Sequence, residues 1–212
     1  MKLNQDELLF LNHVTEGAPP FGVFLKYPPN TEVRSYKNKL MKSLQEKGII
    51  DAQQKFTKEG AAILLLWQEY RNCKKHVVLN HILMAVLPDR RVIGIIKKEQ
   101  EFEIFSADSA AVMLALLKKY DFLCLGNTKG NYLLEKCPYE NWADEMERYG
   151  DNVLVIGEYT EYTPEKEEIY YWKEDTGYRY DLNTGYRRQI SSRAVRLQFL
   201  RYLNLVKEQK NG

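Results

Sequence analysis

The segment SAAVMLALLKKY, Ser109 to Tyr120, returns later in the chain as SRAVRLQFLRYL, Ser192 to Leu203, with five of twelve positions identical: Ser109/Ser192, Ala111/Ala194, Val112/Val195, Leu114/Leu197 and Leu117/Leu200. Apolar residues recur at spacings of three and four in both copies, the pattern of an amphipathic helix. Each copy closes a run of strand-like sequence, which itself follows helix-like sequence. This order predicts an α+β fold made of two pseudo-symmetric halves, with a mainly antiparallel central sheet flanked by helices. The boundary is expected within residues 121–138. It divides the chain into an N-terminal subdomain, 1–125 (helices, then three strands and a helix), and a C-terminal subdomain, 126–212 (a helix, a β-meander and the last helix). Leu114 and Leu197 are expected to lie on the helix faces that cover the sheet.

In the first half, Asn4 followed by Glu7 makes a capping box ahead of Leu8, Leu9 and Leu11. Ala18-Pro19-Pro20 and Pro28-Pro29 bracket an extended apolar segment containing Phe21, Val23, Phe24 and Tyr27. Thr31 is the expected N-cap of a second helix, with Val33, Tyr36, Leu40 and Leu44 on one stripe and Gly48 at its end. Thr57 opens a third helix running through Tyr70. Its stretch from Ala61 to Trp67 is apolar most of the way round, which predicts a buried helix. From His76 the apolar period shortens to two. HVVLNHILMAVL, VIGIIK and FEIF read as three strands, the first also compatible with a helix, and Val92 to Ile96 as a central strand covered on both faces. Ser106 or Asp108 caps the first copy of the repeated helix.

In the second half, Gly126-Asn127-Thr128-Lys129-Gly130 is a linker and Tyr139 to Tyr149 a short helix. Val153 to Tyr162 reads as one strand. EIYYWKEDTGYRYDLNTGYRRQI reads as three more, joined at Asp175-Thr176-Gly177 and Asn183-Thr184-Gly185, with each glycine supplying positive φ. Alternation puts Tyr178, Tyr180 and Leu182 on one face, Arg179 and Asp181 on the other, and pairs Tyr170 with Trp172.

Lys and Arg number 31 against 29 acidic residues, a net charge of +2, which is no footprint for a polyanion. The sequence holds no GxSxG, HExxH or P-loop, and Gly126 to Gly130 matches no dinucleotide fingerprint. Cys73, Cys124 and Cys137 have no zinc or disulfide spacing, and His76 and His81 are poorly spaced as co-ligands. The acidic groups Glu167/Glu168 and Asp144/Glu145/Glu147 read as solvated surface. No enzymatic activity, metal or cofactor is therefore expected. The start MKLNQDELLF lacks a signal-peptide core, and no stretch approaches the roughly 18 apolar residues of a spanning helix. A cytoplasmic protein without membrane insertion is expected.

Two binding readings follow. The helices from Thr31 and Thr57 with the strands beyond Val92 have the order of a winged helix, a DNA-binding regulator. The helix that would enter a groove, however, carries no basic residue from Ala61 to Trp67. The second reading rests on LNQDELLFL, LQEKGII, KEGAAILLLWQEY, VVLNHILMAVL, VIGIIKK, EFEIF and SAAVMLALLKKY, followed by the meander and SRAVRLQFLRYL. In order and apolar pattern the chain resembles the EspG chaperones of type VII (ESX) secretion. The resemblance implies two pseudo-symmetric halves and a cytosolic chaperone or adaptor. Its partners would be secreted helical-hairpin proteins, WXG-type or LXG-type, or their complexes, bound by a monomer or weak dimer. The chain is shorter than the resemblance leads one to expect of the mycobacterial members, and its loop at Lys98 to Glu101 is tight where that family often has a longer one. A divergent, Gram-positive (Firmicutes) member fits both departures. Binding an apolar helical end requires an apolar surface in a polar rim. The expected contact residues are Tyr170, Trp172, Tyr178, Tyr180 and Tyr186, with cross-strand packing as the plain alternative.

Overall fold

The computed structural model describes residues 1–15, 19–25, 33–99, 101–125, 134–149, 152–173 and 176–206. In chain order its elements are β1 (Lys2–Asn4), α1 (Gln5–Val14), α2 (Val33–Glu46), α3 (Lys58–Asn72), β2 (Lys75–Leu79), β3 (Ile82–Val86), β4 (Arg91–Lys98), β5 (Glu101–Asp108) and α4 (Ser109–Lys119). A 3-10 helix (Asp121–Cys124) follows, then β6 (Glu135–Lys136), α5 (Tyr139–Tyr149), β7 (Val153–Thr160), β8 (Thr163–Lys173), β9 (Thr176–Asp181), β10 (Tyr186–Ile190) and α6 (Ser192–Tyr202). The class is α+β, with antiparallel strands flanked by helices. Met1–Cys73 with Ile93–Ser106 forms one compact unit, and Lys74–Val92 with Ala107–Gly212 forms a second.

In the first unit β5 lies between β1 and β4, with Leu3 opposite Phe102 in an antiparallel pair. The capping box forms: Asn4 Oδ1 accepts from the Glu7 N–H at 2.9 Å, and Glu7 Oε2 accepts from the Asn4 N–H at 2.7 Å. Glu7 is fully buried and also accepts from Ser43 Oγ and Lys47 Nζ, both at 2.7 Å, so one side chain caps α1 and fastens the end of α2 to it. Thr57 caps α3 as expected, accepting from the Gly60 N–H at 3.0 Å. The proposed cap Thr31 and Tyr27 lie outside the described residues. Helix α3 is not buried all round. Ile63, Trp67, Tyr70 and Arg71 face inward, whereas Ala61 and Ala62 are exposed and Leu65 is 60% exposed. A continuous apolar run does not choose a face; here the bulky ring side chains take the interior, and small alanines face water at little cost. Buried Arg71 donates to Thr15 O at 3.0 Å, and the Tyr70 hydroxyl donates to Phe21 O at 2.7 Å, anchoring chain on either side of the first proline break. In β4 Val92, Ile93 and Ile95 are buried, so side chains on both faces of the strand are covered, as read.

HVVLNHILMAVL is neither one strand nor a helix. It is the β2–β3 hairpin, so the span from Lys75 to Asp108 holds four strands rather than three. The turn falls at Asn80, which adopts φ +50, a region asparagine tolerates better than most side chains. Its amide also works at long range: the Val155 N–H donates to Asn80 Oδ1 at 2.7 Å, and Nδ2 donates to the Tyr120 hydroxyl at 3.1 Å.

In the second unit the strand order is β3-β2-β7-β8-β9-β10-β6, every neighbouring pair antiparallel. Strand β7 stops at Thr160; Glu161 and Tyr162, expected within it, form the turn at φ +49 and +71. The two meander glycines differ. Gly185 takes φ +68 as expected, but Gly177 lies inside β9 opposite Trp172, without positive φ. A Cβ there would come within 2.7 Å of Ile190 O and 2.9 Å of the Trp172 ring, so close approach, not turn geometry, requires the glycine.

One face of this sheet carries the main core. Val77, Leu79, Met84, Leu154, Ile156, Tyr170 and Trp172 pack with Met113, Leu116, Phe122, Val195 and Phe199. Both repeated helices begin at their serine, capped by Asp108 and Ser191, and both serines are buried. The leucines do not cover the sheet as expected: Leu114 is 59% and Leu197 42% exposed. The inward positions are Met113 and Leu116 on α4, Tyr120 at its C-terminal cap, and Val195, Phe199 and Tyr202 on α6; at about 100° of rotation per residue they lie on a different side of each helix from the leucines. On the opposite face Ile169, Tyr171 and Tyr180 pack with Cys137 and Trp142.

Candidate partner-binding surface

The meander β8–β10 supplies the aromatic residues singled out in the sequence, and the pleat distributes them. Register pairs Tyr170 with Arg179, Trp172 with Gly177, Tyr171 with Tyr178 and Asp181 with Tyr186. Directly opposed residues share a face. Tyr170, Trp172, Arg179, Asp181, Tyr186 and Arg188 therefore face one side, and Tyr171, Tyr178, Tyr180 and Arg187 the other.

Burial separates them further. Trp172 stacks on Phe122 at 4.0 Å between ring centroids and an interplanar angle of 17°, beneath the helices. Tyr180 stacks on Trp142 at 5.1 Å. Tyr170, Trp172 and Tyr180 are each 2% exposed. Tyr178 is half-buried, stacked on Tyr171 at 5.2 Å, with the Arg187 guanidinium 5.3 Å above its ring. Tyr186, at 38% exposure, is the most accessible of the five. The structure thus does not gather Tyr170, Trp172, Tyr178, Tyr180 and Tyr186 on one surface.

Tyr186 lines a cleft of about 380 Å³ together with Leu134, Arg179, Asp181, Thr184 and Arg188. Arg179 and Arg188 are direct cross-strand partners, a like-charge pairing that a sheet tolerates only when something neutralises it. Glu168 does so from one side, forming an ion pair with Arg179. Among the described residues Arg188 has no ion-pair partner. Sequence reading missed this cleft because its cations become neighbours only through the β9–β10 register. A second cleft, of about 520 Å³, lies in the first unit and is lined by Asn4, Gln5, Asp6, Phe24, Lys97, Glu99 and Phe102.

Behind the first cleft sits a charge cluster opposite to the solvated surface expected for Glu167 and Glu168. Glu168 is 1% exposed. Its Oε1 meets Lys166 Nζ at 3.0 Å and the Arg179 guanidinium, while its Oε2 accepts from the Tyr170 hydroxyl and from the Tyr202 hydroxyl at 3.3 Å. Burial, reinforced by the Glu168 charge, pushes both tyrosine hydroxyls well above the ordinary phenol range, so they remain donors. Glu167 accepts from the Tyr159 hydroxyl at 2.6 Å, and burial followed by this bond pushes Tyr159 up to about 12. Asp144 is exposed, and the side chains of Glu145 and Glu147 lie outside the described residues. His76 is buried in β2 whereas His81 is exposed in the hairpin turn. Among the described residues no group of three or more His, Cys, Asp or Glu is placed to hold a metal ion, and no helix is long and apolar enough to cross a membrane.

The fold is similar to that of a chain in the solved structure of the Mycobacterium tuberculosis type VII secretion system chaperone EspG5 in complex with the PE25-PPE41 dimer. The match covers 98% of this chain and 97% of that chain, with a TM-score of 0.53 and 8% sequence identity. The resemblance read from element order thus extends to the fold. No curated protein matches the sequence. A family model described as Domain of unknown function (DUF5081) matches residues 2–198, and the chain belongs to that family.

Proposed function

We propose that this protein is a chaperone or adaptor of a type VII secretion pathway, which holds helical-hairpin substrates in the cytoplasm before export. The observation that carries the reading is the fold likeness to a chaperone of such a system along nearly the whole of both chains. The partners on this reading are small secreted helical proteins, WXG-type or LXG-type, alone or as complexes, bound by a monomer or weak dimer. The two α+β halves are then descendants of one duplicated unit, of which Ser109–Tyr120 and Ser192–Leu203 are the trace.

A chaperone for an exposed helical end needs apolar anchors within a polar rim. The cleft beside Tyr186 has that composition, with Leu134 and Tyr186 as anchors and Arg179, Asp181, Thr184 and Arg188 as rim. Tyr170 and Trp172 are buried on the same face as Tyr186, whereas Tyr178 and Tyr180 belong to the opposite face. Co-expression with small helical secreted proteins of the WXG and LXG types from the same organism, followed by tandem purification and light scattering, tests the reading. A stoichiometric complex weakened about tenfold by Tyr186→Ala, without loss of thermal stability, is the expected result. If all those proteins remain separate from correctly folded chain, the secretion reading fails.

A further inference from the structure

The two repeated helices have an outward surface that the core does not explain. On α4 the exposed residues are Ala110, Ala111, Leu114, Ala115, Lys118 and Lys119; on α6 they are Arg193, Ala194, Leu197 and Arg201. Neither helix contains an acidic residue, although the chain as a whole is balanced at 31 basic to 29 acidic. Their cations are Lys118, Lys119, Arg193, Arg196 and Arg201, and among the described residues none forms an ion pair. Arg196 is occupied by the Leu123 and Leu125 carbonyls, and Lys119 leans on the Tyr120 ring at 5.2 Å. The acids nearest α4 in sequence stand at its ends: Asp108 is occupied as the N-cap, accepting from the Ala110 N–H at 2.7 Å, and Asp121 opens the 3-10 helix, while Glu208, the first acid after α6, lies outside the described residues. That 3-10 helix contacts both α4 and α6. The two leucines occupy equivalent positions of the repeat, and each is accompanied by an exposed alanine three residues earlier, Ala111 or Ala194.

We propose that the outer faces of α4 and α6 form a docking surface for an acidic amphipathic helix of a protein partner. Charge complementarity selects the occupant. Leu114 and Leu197 receive an apolar stripe, small alanines let a helix backbone approach, and the surrounding cations meet Asp or Glu flanking that stripe. Nucleic acid fits less well, because the centre of the surface is aliphatic and offers no exposed aromatic ring for base stacking. An anionic membrane fits less well too, since these helices expose no Trp, Tyr or Phe to sit among headgroups. This surface differs from the Tyr186 cleft, and the inference does not depend on the secretion pathway.

The probe is a fluorescent synthetic helix with leucines at spacings of three and four flanked by glutamates, titrated by anisotropy against the full chain. Leu114→Asp with Leu197→Asp, and separately Arg193→Glu with Arg201→Glu, are each expected to weaken binding at least about tenfold. Binding is expected to fall as salt rises, while Tyr186→Ala leaves it unchanged. All four substituted positions are exposed, and circular dichroism melts verify that the variants fold. Equal binding by both charge-reversed and leucine variants overturns the proposal. So does equal binding of a control peptide with lysines in place of glutamates, or a preference for phosphatidylserine vesicles or duplex DNA over the acidic peptide.

Discussion

Among the described residues each compact unit contains one fully buried glutamate, and the two are held in different ways. Glu7 is fixed locally: Asn4, three residues before it, provides the reciprocal capping bond, and one cation, Lys47, answers its charge at 2.7 Å. Glu168 is fixed by tertiary structure. Its partners are Lys166 and Tyr170 on its own strand, Arg179 on β9 and Tyr202 on α6, so the carboxylate joins sheet to helix. The first arrangement can begin to form as soon as α1 does. The second exists only once β8, β9 and α6 have come together, and removing its anion leaves two partly buried cations, Lys166 and Arg179, without the charge they share. A buried carboxylate that is also a local cap is therefore expected to be the cheaper one to lose.

The largest expected effect is for Glu168→Ala, which strands Arg179 and Lys166 and should reduce stability by about 3–5 kcal/mol in urea unfolding. A loss under about 1 kcal/mol would show that the cations escape to solvent and that the cluster is not a structural centre. Glu7→Ala removes one cap interaction, one ion pair and the hydrogen bond from Ser43, for which about 2–3 kcal/mol is expected. Glu7→Gln should recover part of this, because glutamine still accepts from the Asn4 N–H. Equal losses for Glu7→Ala and Glu168→Ala would erase the contrast.

Alkaline titration sharpens it further. The folded-state values of Tyr170 and Tyr202 are raised above the ordinary 10.0, so their contribution is fully present below that pH and declines as pH rises toward their folded values. Chemical denaturation from pH 9 to 12 should show stability falling above about pH 10. The Tyr170→Phe/Tyr202→Phe double variant should flatten that fall, at a cost near neutral pH of about 1.5–3 kcal/mol for the hydrogen bonds removed from Glu168. An unchanged slope in the double variant would assign the alkaline sensitivity elsewhere. The smallest effect is expected for Asn4→Ala, about 1 kcal/mol, because Lys47 and Ser43 still hold Glu7 when half of the capping box is gone.

The same division between local and tertiary causes explains what was readable in advance. Asn4–Glu7, Thr57, Asp108 and Gly185 were legible because a cap or a positive-φ turn is decided within a few residues. The β2–β3 turn at Asn80 left a signal, two polar residues between two apolar runs, but the surrounding run was also long enough to pass for one element. Gly177 reads as a turn residue in the sequence because its real constraint, the approach of Ile190 O and the Trp172 ring, comes from a strand pairing and not from neighbours in sequence. Leu114 and Leu197 read as core residues because a helix with apolar residues on most sides does not reveal which side meets the sheet.

At the candidate surface, alternation correctly placed Tyr178 with Tyr180 and Tyr170 with Trp172 on separate strands. It did not reveal that β8 and β9 turn these pairs toward opposite faces, because that depends on register. Nor did sequence expose the opposed Arg179 and Arg188, which lie nine positions apart and meet only across β9 and β10.

By itself the sequence determined the α+β class, the helix caps, the meander and the starting points of both repeated helices, since each follows from short-range periodicity and backbone preference. Only the tertiary structure decided which side of α3, α4 and α6 meets the core, which aromatics remain accessible, and that Glu168 is buried rather than solvated. Those outcomes depend on strand register and on which volumes fill the space between helix and sheet, quantities that no local stretch of chain contains.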